Sequence, residues 1–243
     1  MKTVAIIQAR MNSTRLPGKV LMDLGGKTVL ARVVRRLQRA RLIEEIVVAT
    51  TNSAADDSIV RECQSLAVRF FRGEESDVLD RYYQAAQWMG ADGIVRVTSD
   101  CPLIDPDTTD STIHAFLERR PDYASNALQR TFPRGLDTEV ITWEALTRAW
   151  EGAWLPYQRA HVTPYIYENP DRFDILEVKA DTDYSSHRWT LDTAEDLSFI
   201  RAVYDRVGND DSFSWRDVLA LIEREPELME LNHAVMQKAL QEG

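Results

Sequence analysis

The chain has 243 residues, 44% hydrophobic and 28% charged, enough to bury a substantial core in one large domain or two small ones. A formal net charge of −10 and a pI near 5.0 exclude a general nucleic-acid surface, which needs a basic face, but not a local basic pocket. Cys63 and Cys101, the only cysteines, stand far apart without metal-ligand spacing, so a reducing, cytoplasmic setting without disulfides is expected.

The opening run Val4–Ile7 before Gln8 reads as a strand, too short for a signal peptide or a membrane span, so no membrane partner is expected. "TVLARVVRRLQRA" then sets Val29, Leu30, Val33, Val34 and Leu37 on one helical face and Arg32, Arg35, Arg36 and Arg39 on the other. "EEIVVATT" is a second strand, and "SAADDSIVRECQSLA" a second helix with Ser53 placed to cap it. "VRFFRG" is a third strand, and "SDVLDRYYQAAQWMG" a third helix stopped by Gly90. "GIVRVTSD" is a fourth strand and "DPDTTDSTIHAFLERR" a fourth helix. This β-α-β-α order implies parallel strands, right-handed crossovers and helices on both faces. Ligands of such sheets bind outside the carboxyl ends of the strands, so the polar loops after strands one, two and four share one rim.

Beyond position 120 the rhythm changes. "DYASN", "GLDTEVITW" and "RFDILEVKA" predict additional, antiparallel strands, with helices over "TWEALTRAWEGA" and "QRAHVTPYIYENP" between them. "HRWTLD" predicts another core strand and "TAEDLSFIRAVYDRVG" a helix, while the tail at about 212–243 reads as largely helical. With no low-complexity linker and no repeat at solenoid period, the sequence implies a single domain, 1–243, with an inserted arm at about 121–186.

"GGKT" at 25–28 lacks the glycine a P-loop needs five residues before its last one, where Leu21 stands, so Lys27 and Thr28 are read as a helix start. The loop within "IIQARMNSTRLPGK" is different. Arg10, Arg15 and Lys19 bring three cations, Ser13 and Thr14 bring hydroxyls, and Pro17 and Gly18 shape the turn. Such convergent donors suit a polyphosphate, although a solvated basic turn would use the same residue types. "RVTSD" at 96–100 and "RWTLD" at 188–192 share a pattern that delivers Asp100 and Asp192 at strand ends. Two carboxylates on the rim of a cationic loop suit Mg²⁺ acting on a triphosphate. Each aspartate could instead cap the next helix, but the helix after "DCPLIDPD" starts only near Asp107. In the arm, "FPRGLDTEVI" groups Arg134, Asp137 and Glu139, and "QRAHVTPYI" carries Arg159 and His161. These residues could meet an acidic, hydroxyl-bearing acceptor, or form a surface turn and a half-buried histidine. No Ser-His-Asp order, zinc spacing or Gly-x-Gly-x-x-Gly fingerprint occurs.

As an ordered set, "IIQARMNSTRLPGK", "VVATT", "DVLDRY", "VRVTSDCPLIDP", "PRGLDTEV", "HVTPYI" and "WTLDTAEDL" resemble the nucleotidyltransferases that make CMP-activated acidic sugars. The resemblance is above all to SpsF-type spore-coat polysaccharide cytidylyltransferases, with acylneuraminate and 3-deoxy-manno-octulosonate (Kdo) cytidylyltransferases as wider relatives. It spans roughly positions 2–205. It implies an α/β fold, a Rossmann-like, mostly parallel sheet in the GT-A-like nucleotidyltransferase architecture, with an arm that dimerises. It implies a CTP:sugar cytidylyltransferase that releases pyrophosphate for surface polysaccharide or glycan synthesis, with CTP and an acidic sugar as partners in a homodimer. Arg10 and Lys19 would hold phosphates, with Ser13 and Arg15 on the same loop, while Ala9, Thr51 and Arg81 complete the nucleotide site. Asp100 and Asp192 would bind Mg²⁺ and, with Arg10 and Lys19, form the catalytic set. Arg134, Asp137, Glu139 and His161 would face the sugar. Two other readings use the same features: an Mg²⁺-dependent glycosyltransferase, which lacks an equivalent cationic loop, and a catalytically silent nucleotide-binding protein, which should have lost one of these charges.

Overall fold

The computed structural model describes residues 1–238. Seven strands, β1 (Thr3–Gln8), β2 (Glu45–Thr51), β3 (Arg69–Gly73), β4 (Gly93–Thr98), β5 (Tyr123–Ser125), β6 (Glu139–Thr142) and β7 (Ile175–Glu177), form one sheet in the order β3-β2-β1-β4-β6-β5-β7. The first four strands are mutually parallel, as the alternating pattern predicts. β6 is antiparallel to β4 and β5, but β7 pairs in parallel with β5. Six strands therefore run in one direction and β6 alone is reversed, which corrects the expectation that all three later strands are antiparallel.

Both faces of the sheet are buried, so β1 is apolar at successive positions rather than at alternate ones. On one face α1 (Val29–Leu37), α2 (Asp57–Ser65) and α4 (Pro106–Arg119) close over Ala5, Ile7, Val48, Val95 and Val97. On the other, α3 (Val78–Met89), α5 (Trp143–Gly152), α6 (Pro156–His161) and α7 (Pro164–Tyr167) cover Val4, Ile6, Ala49 and Ile94. Thr28 caps α1 through its side chain, in keeping with the helix start expected there. Ser53 caps a single 3₁₀ turn, Ala54–Asp56, that leads into α2. The helix expected over 158–170 is divided, because Pro164 lacks an amide donor and Val162 turns to φ 73° between α6 and α7.

A third apolar cluster joins α8 (Ala194–Arg206) and α9 (Trp215–Arg224) to Leu24, Val29, Leu103, Phe132 and Trp189. It explains two departures from the sequence reading. Arg32 and Arg36, assigned to the polar face of α1, are fully buried beneath this cluster. Arg32 donates to the Leu24, Gly25 and Asn209 carbonyls, and Arg36 donates to the Ile104 and Asp211 carbonyls with its guanidinium 4.0 Å from the centre of the Phe213 ring. "HRWTLD" is buried from Trp189 to Asp192 but is not a sheet strand. Its single bridge joins Arg188 to Arg134, and the Leu191 amide donates to the Asp100 carbonyl, so it crosses the rim of the sheet rather than extending it. The tail is helical through α9. It then breaks before Pro226 into a 3₁₀ turn, Pro226–Leu231, and residues 232–238 are not helical. Positions 239–243 of the expected tail lie outside the described residues. Among the described residues, no helix is long and apolar enough to cross a membrane.

Candidate active site

The strand order reverses between β1 and β4, and their carboxyl ends open the crevice where such sheets bind ligands. The loop leaving β1 is held from both sides. The Ala9 amide donates to the Ala49 carbonyl at 3.1 Å, and the Met11 amide donates to Asp56 at 2.8 Å. Asp56 is itself buried and accepts from the Thr50 and Thr51 hydroxyls. The Ser13 and Gly18 amides both donate to the Met11 carbonyl, at 2.9 and 2.8 Å, and this closed turn leads into a 3₁₀ turn that begins at Lys19.

Lys19 is thereby carried inward to the two aspartates. Its ammonium is 2.9 Å from Asp100, 3.0 Å from Asp192 and 2.7 Å from the Leu191 carbonyl. Burial alone would lower its pKa, but the charges of Asp100 and then Asp192 outweigh it, so the ammonium is held above the ordinary lysine value. Burial likewise favours the neutral form of Asp100. The Lys19 charge and hydrogen bonds from Thr98 and Lys19 prevail, and its carboxyl stays below the usual range. Arg15 and Arg188 reach the other oxygen of Asp192, at 2.9 and 2.8 Å. Neither aspartate caps a helix: Asp105 caps α4 and Thr193 caps α8. The two recurring Arg-x-Thr-x-Asp motifs and the cationic loop therefore meet at one point.

A second group borders the crevice on the α3 side. Arg10 is exposed, with Glu75 3.9 Å away. Arg81 is buried beside Gly73, where an added Cβ would lie 2.5 Å from the arginine side chain. Its Nε and Nη1 have no hydrogen-bond partner among the described residues. Burial depresses the Arg81 guanidinium, with Arg10, Asp56 and Glu75 close enough to act on it. A buried cation with free donors suits an electron-rich ligand atom. Thr51 is committed through its hydroxyl to Asp56, so its side chain braces the loop.

Toward the arm, Arg134 is half-buried, and burial and then the neighbouring Arg130 lower its guanidinium, with Asp137, Arg188 and Asp192 also within electrostatic reach. Asp137 is held by both terminal nitrogens of Arg130. Glu139 lies in the sheet, 7% exposed, paired with Arg96 and accepting from the Tyr123 hydroxyl. While it holds Arg96 it is not free to bond a sugar hydroxyl. His161 is the last residue of α6. The sequence reading passed over Asp56, Arg96, Arg130, Arg188 and Asp196. The only visible signal for Arg188 was the shared initial arginine of "RVTSD" and "RWTLD".

Comparison with known proteins accords with this geometry. The family model for cytidylyltransferases matches residues 4–233. The spore coat polysaccharide biosynthesis protein SpsF of Bacillus subtilis is 33% identical over 231 residues, covering 91% of this chain and 94% of that protein. A 3-deoxy-manno-octulosonate cytidylyltransferase of Geobacter sulfurreducens is 41% identical over 125 residues, 49% of this chain and 46% of its own. The solved structure of a cytidylyltransferase from Leptospira borgpetersenii superposes with a TM-score of 0.92 at 35% identity, covering 98% of this chain and all of that one. With the parallel sheet, the cationic loop and the paired aspartates, this match shows that the chain belongs to the cytidylyltransferase family of nucleotidyltransferases.

Proposed function

We propose that the protein transfers CMP from CTP to an acidic sugar and releases pyrophosphate. The observation that carries this reading is the Lys19 ammonium seated between Asp100 and Asp192 at the end of a loop rich in cations. The sugar hydroxyl attacks the α-phosphorus and gives up its proton to solvent. The bond from that phosphorus to the oxygen shared with the β-phosphorus breaks, and pyrophosphate leaves carrying that oxygen. Arg10, Arg15 and Lys19 bind the triphosphate and neutralise the charge that develops on the leaving group, so positioning and electrostatics supply the acceleration. Arg81 would meet the nucleotide, and Arg134 the acid group of the acceptor.

Asp100 and Asp192 fit an Mg²⁺ ion, because their carboxylates already converge on a single cation, the Lys19 ammonium. Among the described residues no cluster of three or more His, Cys, Asp or Glu side chains forms a metal cage, which suits an ion that fills its shell with phosphate oxygens and water. When bound, Mg²⁺ would draw charge from the triphosphate. Pairing of subunits through the arm at 121–186 and a cytoplasmic location belong to the same reading, as does a role in surface polysaccharide synthesis, which the likeness to SpsF supports.

Thermal unfolding with each of the four common nucleoside triphosphates, with and without Mg²⁺, tests the nucleotide. At about 100 times its Kd, a ligand specific for the folded state adds roughly 2.7 kcal/mol. Stabilisation by CTP alone, followed by pyrophosphate release with an acidic sugar, is the expected result. No stabilisation by any triphosphate would overturn the reading. Light scattering tests the pairing, since a species of 27.8 kDa alone would remove the homodimer.

A further inference from the structure

Asp192 accepts from three cations, and they are not equivalent. Lys19 and Arg15 come from the loop after β1. Arg188 comes from the rim segment and is fixed in a network of its own. Its Nε and Nη2 form a two-pronged contact with the two oxygens of Asp196, at 2.9 and 3.0 Å, and the same Nη2 reaches Asp192 at 2.8 Å. Asp196 is fully buried, and it also accepts from the Asp192 and Thr193 amides and from Asn232. From the C-terminal segment, Asn232 donates to the Arg188 carbonyl at 2.9 Å, and Gln237 accepts from Arg188 Nη1 at 2.7 Å. The planar guanidinium can serve both carboxylates at once, whereas an ammonium cannot reproduce that fork.

We propose that Arg188 is a positioning residue for Asp192, locked by Asp196 and Asn232, and that it sets the affinity for the divalent cation rather than for the nucleotide. This inference rests on the function proposed above. On arrival of the triphosphate, Lys19 and Arg15 have new anionic partners and can leave Asp192. Arg188 is bonded through all three of its guanidinium nitrogens and stays. It therefore keeps one carboxylate oxygen of Asp192 occupied and the other turned toward Asp100, where a cation replaces the lysine. The C-terminal segment becomes part of the support of the site through Asn232.

The test compares the wild-type protein with Arg188→Lys and Asn232→Ala in thermal unfolding. CTP is added first without metal, and Mg²⁺ is then titrated at saturating CTP. The expected result is an unchanged increment from metal-free CTP in both variants. The half-saturating Mg²⁺ concentration should rise about 10-fold or more in Arg188→Lys, as for loss of a residue that orients a metal ligand, and by less in Asn232→Ala. Half-saturation within about twofold of wild type in both variants, or an equal loss of the metal-free CTP increment, would overturn the inference while the proposed function stands. Should Arg188→Lys fail to fold, Asn232→Ala decides by the same two readouts. A wild-type protein without any Mg²⁺-dependent increment overturns both the function and the inference.

Discussion

The Lys19 ammonium lies 2.9 Å from the Asp100 carboxylate, although 81 positions separate them in the chain. The pair predicts a particular dependence of stability on pH. Asp100 has a depressed pKa, so its contribution is present above the ordinary carboxylate value and is lost as pH falls through its lower folded value. Lys19 has a raised pKa, so its contribution is complete below the ordinary lysine value and is lost as pH rises through its higher folded value. Lys19→Met leaves Asp100 without its cation and facing Asp192, which keeps Arg15 and Arg188. Its melting temperature should fall below that of wild type most at neutral pH, and the gap should narrow as pH falls and Asp100 protonates. A gap that widens toward acid would contradict the ion-pair account.

The same two residues should separate in their effects on activity. If Lys19 holds phosphate as proposed, Lys19→Ala should chiefly weaken CTP binding, measured by titration calorimetry. Asp100→Ala should lower turnover by about 10²–10³-fold or more, as for loss of a charge-stabilising group, while the melting temperature shows the fold intact. Near-normal pyrophosphate release by Asp100→Ala would remove its catalytic role, and unchanged CTP affinity in Lys19→Ala would remove the phosphate loop.

Much of this site is legible in the sequence because its parts stand at strand ends, and strand ends can be read from apolar runs. Val4–Ile7 places the loop, and "RVTSD" places Asp100, through the preference of parallel strands for a buried, continuous apolar stretch. Asp192 was found by a repeated motif, although its segment pairs only at Arg188 and is no sheet strand. What the sequence hides is how charges are shared. Arg32 and Arg36 fall on the polar face of α1 by periodicity, yet a distant C-terminal cluster supplies carbonyls and the Phe213 ring to bury them. The periodicity of one helix carries no information about elements some 175 residues away. For the same reason nothing local distinguishes Glu139, which ends up paired with a charge on a neighbouring strand, from a carboxylate left open to a ligand.

Glu139 supplies a direct contrast between support and recognition. It is buried against Arg96 and Tyr123, and Arg96 Nε has no hydrogen-bond partner among the described residues. Removing one member of a buried pair leaves the other uncompensated, so Glu139→Ala should lose about 3–5 kcal/mol in urea unfolding. The double variant Arg96→Met, Glu139→Leu should recover most of that loss, because no isolated charge remains. A stable Glu139→Ala protein with a raised KM for the sugar alone would instead make Glu139 a substrate contact.

Gly135 packs the turn before β6 against the segment that carries Asp192. Its φ is 108°, and a Cβ added there would stand 2.7 Å from the Trp189 carbonyl group and 2.9 Å from the Thr190 nitrogen. Both atoms belong to the segment that ends at Asp192, so the segment cannot keep its place beside a side chain at position 135. Gly135→Ala should lower stability by about 1–3 kcal/mol through backbone strain alone. The shift of Trp189 and Thr190 should also move Asp192 away from Lys19 and Asp100. The variant should therefore lose turnover more steeply than CTP affinity, because Arg10, Arg15 and Lys19 stay on their own loop. Parallel measurement of urea unfolding, CTP binding and pyrophosphate release tests this coupling, and a destabilised Gly135→Ala with normal turnover would show that Asp192 keeps its position independently of the turn.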